Sequence, residues 1–184
     1  MGATILVENR VGAMAFLATE FTARAKPDGY TIFVHGWSAI ASANYLIKNP
    51  SIDVTKALKL VGTMNKQPMM IVVDAKSPFK SLKELTDHNR AKKEKATYGS
   101  SNVLGQIMGA IYKEHEKLEA VEVTYRTAND ALNDLASGAL DYGVFDNIFA
   151  ASQERAGRIR ILGISTGERI QATPQYPTMA ELGV

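Results

Sequence analysis

Residues 96–147 read ATYGSSNVLGQIMGAIYKEHEKLEAVEVTYRTANDALNDLASGALDYGVFDN, and within them the succession of short apolar run, polar turn and amphipathic stretch begins three times. Residues 96–98 and 121–125 are rich in Val, Thr and Tyr, the composition of strands. Leu104, Ile107, Met108, Ile111 and Tyr112 recur at spacings of three and four, so they line one face of a helix. Ala131, Leu132 and Leu135 do the same over residues 127–137, and Gly138 supplies a left-handed stop. Residues 140–145 return as a strand, after which Asp146 or Asn147 caps a helix ending near Gly157. Such alternation predicts an α/β fold of mostly parallel sheet flanked by helices. In that arrangement ligand sites lie where the carboxyl ends of strands meet helix N-termini.

Working outward, Ser81 with Glu84 three residues later forms a capping box that starts a helix running to residue 92 or 93. Residues 58–64 and 69–73 read as strands separated by Asn65, Lys66, Gln67 and Pro68, a candidate link between two lobes. Toward the N-terminus, strands are predicted at 4–7 and 30–34, with a helix over 14–25 carried by Met14, Phe16, Leu17 and Phe21. A small-residue helix is predicted over 39–47, ending before Asn49 and Pro50. Residues 159–165 form a last apolar strand, followed by an irregular tail marked by prolines.

Composition removes several functional classes. The chain has 184 residues, 46% hydrophobic and 22% charged, with 21 basic and 19 acidic residues for a net charge of +2. A balance so even recruits no nucleic acid by its field. Absence of cysteine excludes thiolate nucleophiles and cysteine metal ligands. His35, His88 and His115 lie far apart, so no metal site is expected. Nor is a cofactor, because no phosphate-binding glycine loop, dinucleotide fingerprint or nucleophile elbow occurs. Every apolar run is too short for a membrane span, and the first residues lack the basic start and apolar core of a secretory signal. As written, the chain is expected to remain cytoplasmic.

What recurs is a polar loop directly after a strand, at 36–38, 99–102, 126–129 and 146–147. Amides exposed at a helix start, aided by the helix dipole, hold a carboxylate without any formal cation. The plainer reading of each loop is that its Ser, Thr, Asn and Asp residues only cap helices. Trp37 is either a cleft wall or an interface residue. Tyr125 and Arg126 are placed to reach a carboxylate, Arg126 through a bidentate pair, while the plainer reading of Arg126 is an exposed side chain bonded to a nearby acid. Asp146 either accepts hydrogen bonds from a ligand or serves as a cap.

Several ordered segments carry a resemblance: VENR at 7–10, PDGYT at 27–31, YGSS at 98–101, VFDN at 144–147 and PTMAELG at 177–183. With VVDAKSPFKSLKEL at 72–85 and VTYRTANDALNDL at 123–135, they resemble the Bug family of tripartite tricarboxylate transporter solute-binding receptors over essentially the whole chain. The resemblance implies a periplasmic-binding-protein type II-like fold of two lobes closing over a small carboxylate. It also implies periplasmic residence, transporter membrane subunits as partners and no enzymatic activity. Carried over by position, the ligand-binding residues are Gly36, Trp37 and Ser38 from the first lobe, and Ser100, Ser101, Tyr125, Thr127 and Asp146 from the second.

Family members usually begin with a secretion signal, a further strand and a proline- and glycine-rich loop, and they continue past the position of Gly183. An incomplete first lobe is therefore expected: residues 1–65 as its partial body, 66–158 as the second lobe, and 159–184 as a return strand and tail to the first. Open sheet edges would favour a homodimer or strand swap. Three alternatives stay open: a ligand-incompetent remnant, a cytoplasmic effector-sensing domain, or an α/β enzyme acting through Asp146 and His35.

Overall fold

The structure is a computed structural model that describes residues 2, 4–10, 12–36, 40–41, 45 and 47–184, with the backbone alone at Met14. It divides into two compact units, Met1–Met64 and Asn65–Val184.

The first unit holds helix α1 (Phe16–Ala23), preceded by a 3-10 turn at Ala13–Ala15, and helix α2 (Val54–Ala57), whose cap Asp53 accepts the Thr55 amide at 3.1 Å. Its small core is Phe16 and Val54, with Ile40, Ile47 and Ile52 against them. The strands expected at 4–7, 30–34 and 58–64 do not form among the described residues. Ile5, Leu6, Val7, Tyr30, Ile32, Val34, Leu60, Val61 and Met64 are all exposed there. A β-branched apolar run signals only that a segment suits a sheet. A strand exists once its amides and carbonyls have a partner on a neighbouring strand, and these segments have no such pairing among the described residues; the Tyr30 amide turns back to Asp28 Oδ1 at 3.0 Å. The helix expected over 39–47 falls largely outside the described residues.

The second unit carries the alternation read from residues 96–147. Strand β1 (Met69–Asp74) leads to α3 (Leu82–Lys92), then β2 (Thr97–Ser100), α4 (Val103–His115), β3 (Val121–Thr124), α5 (Ala128–Ser137), β4 (Tyr142–Asp146), α6 (Asn147–Arg155) and β5 (Ile159–Ile164). The sheet order is β3-β2-β4-β1-β5. Strands β2, β3 and β4 are mutually parallel, and β1 lies antiparallel to both β4 and β5. A single reversed strand therefore sits within an otherwise parallel sheet.

Each strand sends alternate side chains to opposite faces. Met69, Ile71, Val73, Tyr98, Tyr142 and Val144 meet Leu82 and Leu85 of α3 and Tyr112 of α4 on one side. Met70, Val72 and Phe145 meet Leu132 and Leu135 of α5 and Ala150 of α6 on the other. On the first face the Tyr98 and Tyr142 rings stack with centroids 5.0 Å apart. Gly109 permits this packing, because a Cβ there would overlap the Tyr98 ring. Gly138, at φ 80°, ends α5 as expected.

Residues 159–184 fall within the compact unit Asn65–Val184. Strand β5 pairs along β1 in the sheet of the second unit, and Ile164 bridges Thr178. Tyr176 and Met179 are buried in its two cores, and the Tyr176 hydroxyl bonds Glu154 on α6. Strand and tail belong with residues 65–158 because β1 supplies their hydrogen-bonding partner.

At the edge where β2 and β4 begin, Asp141 ties three elements together. Its carboxylate accepts Lys92 Nζ at 2.6 and 2.8 Å, the Thr97 amide at 2.8 Å and His88 Nε2 at 3.1 Å, with its side chain 10% exposed. Burial opposes its charge, but the bonds from Lys92, Thr97 and His88 prevail and hold the carboxyl below its ordinary range. A depressed carboxylate contributes stability above its unfolded pKa, and that contribution is lost as pH falls through the folded value. Asp141→Asn is expected to lower stability at neutral pH by about 2 kcal/mol. It should also flatten the acid-side loss below about pH 4. Urea denaturation of both proteins at pH 7 and at stepped acid pH measures both effects.

Candidate functional site

The carboxyl ends of β3, β2 and β4 lie side by side: Ser100 pairs with Thr124 on one flank and with Val144 on the other. Each strand runs directly into a helix. Asn102 caps α4 by accepting the Gly105 amide at 2.8 Å, Thr127 caps α5 by accepting Asp130 N–H at 3.2 Å, and Asp146 caps α6 by accepting Phe149 N–H at 2.9 Å. Neighbouring strands are about 4.8 Å apart, so the three strand ends lie within roughly 10 Å along one sheet edge, each followed by a positive helix end. The caps engage one amide each. The amides of Val103, Leu104, Ala128, Asn129 and Ile148 have no protein acceptor among the described residues.

The reversed strand begins at the same edge. Met69 pairs with Asp146, the Asn147 amide donates to the Pro68 carbonyl at 3.2 Å, and Ser165 Oγ accepts the Met69 amide at 2.8 Å. Its fixed position closes the row beyond β4. A cavity of about 10 Å³ lined by Met69, Met108, Ser165 and Met179 lies behind this edge. That volume holds a water, not an organic acid. An acid would have to sit outside the strand ends.

Of the residues expected to bind ligand, Ser100, Ser101, Tyr125, Thr127 and Asp146 share this edge, and Tyr125 is held there by its amide bond to the Ser100 carbonyl at 2.8 Å. Gly36 lies exposed in the other unit, where its carbonyl is 3.2 Å from His35 Nδ1. Trp37 and Ser38 lie outside the described residues.

Three of the four hydroxyls do not serve as free donors. Ser100 is fully buried and gives its proton to Glu122 at 2.7 Å, Tyr125 gives its own to Asp134 at 2.6 Å, and Thr127 to Asp130 at 2.7 Å. Burial, then the bond to Asp134 and its charge, push the Tyr125 phenol up to about 12, so it keeps that proton. What the edge can offer an anion is peptide N–H. Asn102 and Ser165 carry structural weight here that sequence reasoning did not assign. Asn102 stood in a recognised polar loop, whereas the Ser165 contact spans a sequence distance that leaves no local signal.

Among the described residues no group of three or more His, Cys, Asp or Glu side chains is placed to hold a metal, and no helix is long and apolar enough to cross a membrane. The model of the tripartite tricarboxylate transporter family receptor, TctC, matches residues 1–184. The chain belongs to that family. TctC proteins are receptors rather than enzymes. Among curated relatives, a UPF0065 protein of Bordetella bronchiseptica is 29% identical over 184 residues, which is 98% of this chain and 54% of the relative. The chain thus spans about half the length of the curated relatives it matches. Among solved structures, the R. palustris protein Rpa4515 with adipate superposes with a TM-score of 0.86 at 25% identity, over 98% of this chain and 61% of that one. The periplasmic binding protein BugD gives 0.81 at 25% identity, over 98% and 60%. These likenesses bear out the two-lobed TctC-type fold class.

Because each helix start relies on one side-chain cap, Asn102→Ala and Thr127→Ala are each expected to cost about 1 kcal/mol of stability. Chemical denaturation checks the size. A neutral outcome for both would show that the helix starts are held by something other than their caps.

Proposed function

We propose that this chain is the ligand-holding part of a receptor for small organic carboxylates, and that it captures the acid at the second-unit edge through helix N-terminal amides. The observation that carries this reading is the row of three helix starts at adjacent parallel strand ends, with amides of Val103, Leu104, Ala128, Asn129 and Ile148 unengaged by protein. An amide row of this kind suits a carboxylate because partial positive charge meets it without the desolvation of a buried cation. Membership of TctC supports a carboxylate over other anions, as does the adipate held by the R. palustris neighbour. Tyr125, Thr127 and Asp146 then contribute chiefly by holding the loops in place, and Ser101 stands as a proposed contact beside the amides. Gly36, Trp37 and Ser38 stand as proposed contacts from the first lobe. Periplasmic residence and delivery to the membrane subunits of a tripartite transporter belong to the same proposal.

Thermal denaturation with malate, succinate, glutamate, citrate, adipate and an aromatic diacid tests the reading. A ligand at a hundred times its Kd stabilises by about 2.7 kcal/mol. For a chain of this size that raises Tm by several degrees, about 2–4 °C per kcal/mol. Unchanged melting across the whole series would reject carboxylate binding by this chain.

The exposed apolar segments of the first unit bear on its partners. Nine large apolar side chains from residues 4–7, 30–34 and 58–64 face solvent without strand pairing among the described residues, a surface that favours pairing with a second copy. We infer that the 184-residue chain self-associates through these segments. Multi-angle light scattering is expected to give a mass above the 20.0 kDa monomer at high concentration, and a monomer throughout contradicts it.

A further inference from the structure

In the core of the second unit, two fully buried polar side chains have no protein partner. Asn89 on α3 and Tyr142 at the start of β4 are each 0% exposed, and neither the amide nitrogen nor the carbonyl of Asn89, nor the Tyr142 hydroxyl, bonds any described protein group. Groups around them are matched. Thr86, one turn before Asn89, gives its proton to the Leu82 carbonyl at 2.9 Å and lies 2.7 Å from the Tyr112 hydroxyl, which therefore donates to it. His88 and Lys92, on the turns that bracket Asn89, both bond Asp141, the residue preceding Tyr142. The Tyr142 ring meets those of Tyr98 and Tyr112, with centroids 5.0 and 5.7 Å apart, so the Thr86–Tyr112 bond and the two bonds to Asp141 tie α3 to the start of β4 on both sides of Asn89.

Stranding three buried polar atoms is costly, and interiors resolve such cases with an internal water that makes about three hydrogen bonds. We infer that the contact between α3 and β4 is a binding site for internal water, held by the Asn89 side-chain amide and the Tyr142 hydroxyl. The Asn89 carbonyl accepts from water, its N–H groups donate to water, and the phenol does either. Burial, then the neighbouring Tyr112, Tyr98 and Asp141, push the phenol far up, so it remains a neutral partner. Such a water would join the polar staple at Asp141 to the Thr86–Tyr112 pair and make one continuous network along α3.

Two measurements on the full chain decide it. Nuclear Overhauser spectra of the 15N-labelled protein are expected to show the Asn89 side-chain amide protons in contact with a water of long residence; no such cross-peak overturns the site. The second measurement compares Asn89→Leu, Tyr142→Phe and the double variant by thermal melting. A shared water predicts that each single change lowers Tm by about 3 °C and that the double variant loses less than the two together. Were the site dry, Asn89→Leu would remove an orphaned amide at similar volume and leave Tm unchanged or raised, which overturns the inference. Should Asn89→Leu fail to fold, Tyr142→Phe, which removes one oxygen, and the spectrum of the unaltered chain still decide.

Discussion

A helix cannot satisfy the amides of its own first turn, and the second unit is arranged around that fact. Three times the chain leaves a parallel strand and starts a helix at once, so three sets of surplus N–H groups arrive at one sheet edge. Asn102, Thr127 and Asp146 each take one of them, which fixes where the helices begin. The remainder present a positive potential made of peptide dipoles, which by its sign favours an anion. Side-chain chemistry is subordinate: Ser100, Tyr125 and Thr127 are turned toward Glu122, Asp134 and Asp130, which spends their protons on holding the loops.

The same economy governs the rest of the unit. Buried charge appears where it is matched, as at Asp141, whose four hydrogen bonds join the end of α3 to the beginnings of β2 and β4. Glu154 plays a comparable part near the tail, accepting the Ile161 amide at 2.8 Å and the Tyr176 hydroxyl. Arg160 donates to the carbonyls of Ala75, Ser77 and Phe79, which pins the turn after β1. Each of these side chains replaces a backbone partner that a regular element would have provided.

Local features were legible in the sequence and non-local ones were not. The helices α4, α5 and α6, their caps and the strands between them follow from apolar spacing and capping residues that act over a few positions. The strands expected at 4–7, 30–34 and 58–64 rested on equally good local signals, yet a strand also needs a neighbour, and composition does not name one. The direction of β1 escaped for a related reason, since alternation says which segments are strands but not from which edge the chain enters. The partners of the candidate-site hydroxyls were not legible, because Ser100 finds Glu122 across a strand pair and Tyr125 finds Asp134 two helical turns into α5. Ser165 could not be read at all, its partner Met69 lying on the far side of the whole unit in sequence.

The reversed interior strand also collects the pairings that are most distant along the chain. Pairings β2–β3 and β2–β4 join segments that are close along the chain, so their loops close at small entropic cost. Strand β1 gains both of its neighbours only when Met70 meets Phe145 and Ile164, after nearly all of the unit has been made. High contact order is thereby concentrated in one strand, the kind of pairing that slows folding in general. Nascent chain emerging from the ribosome would carry residues 69–74 unpaired until β4 and β5 appear, with five of those six side chains apolar and in need of shelter.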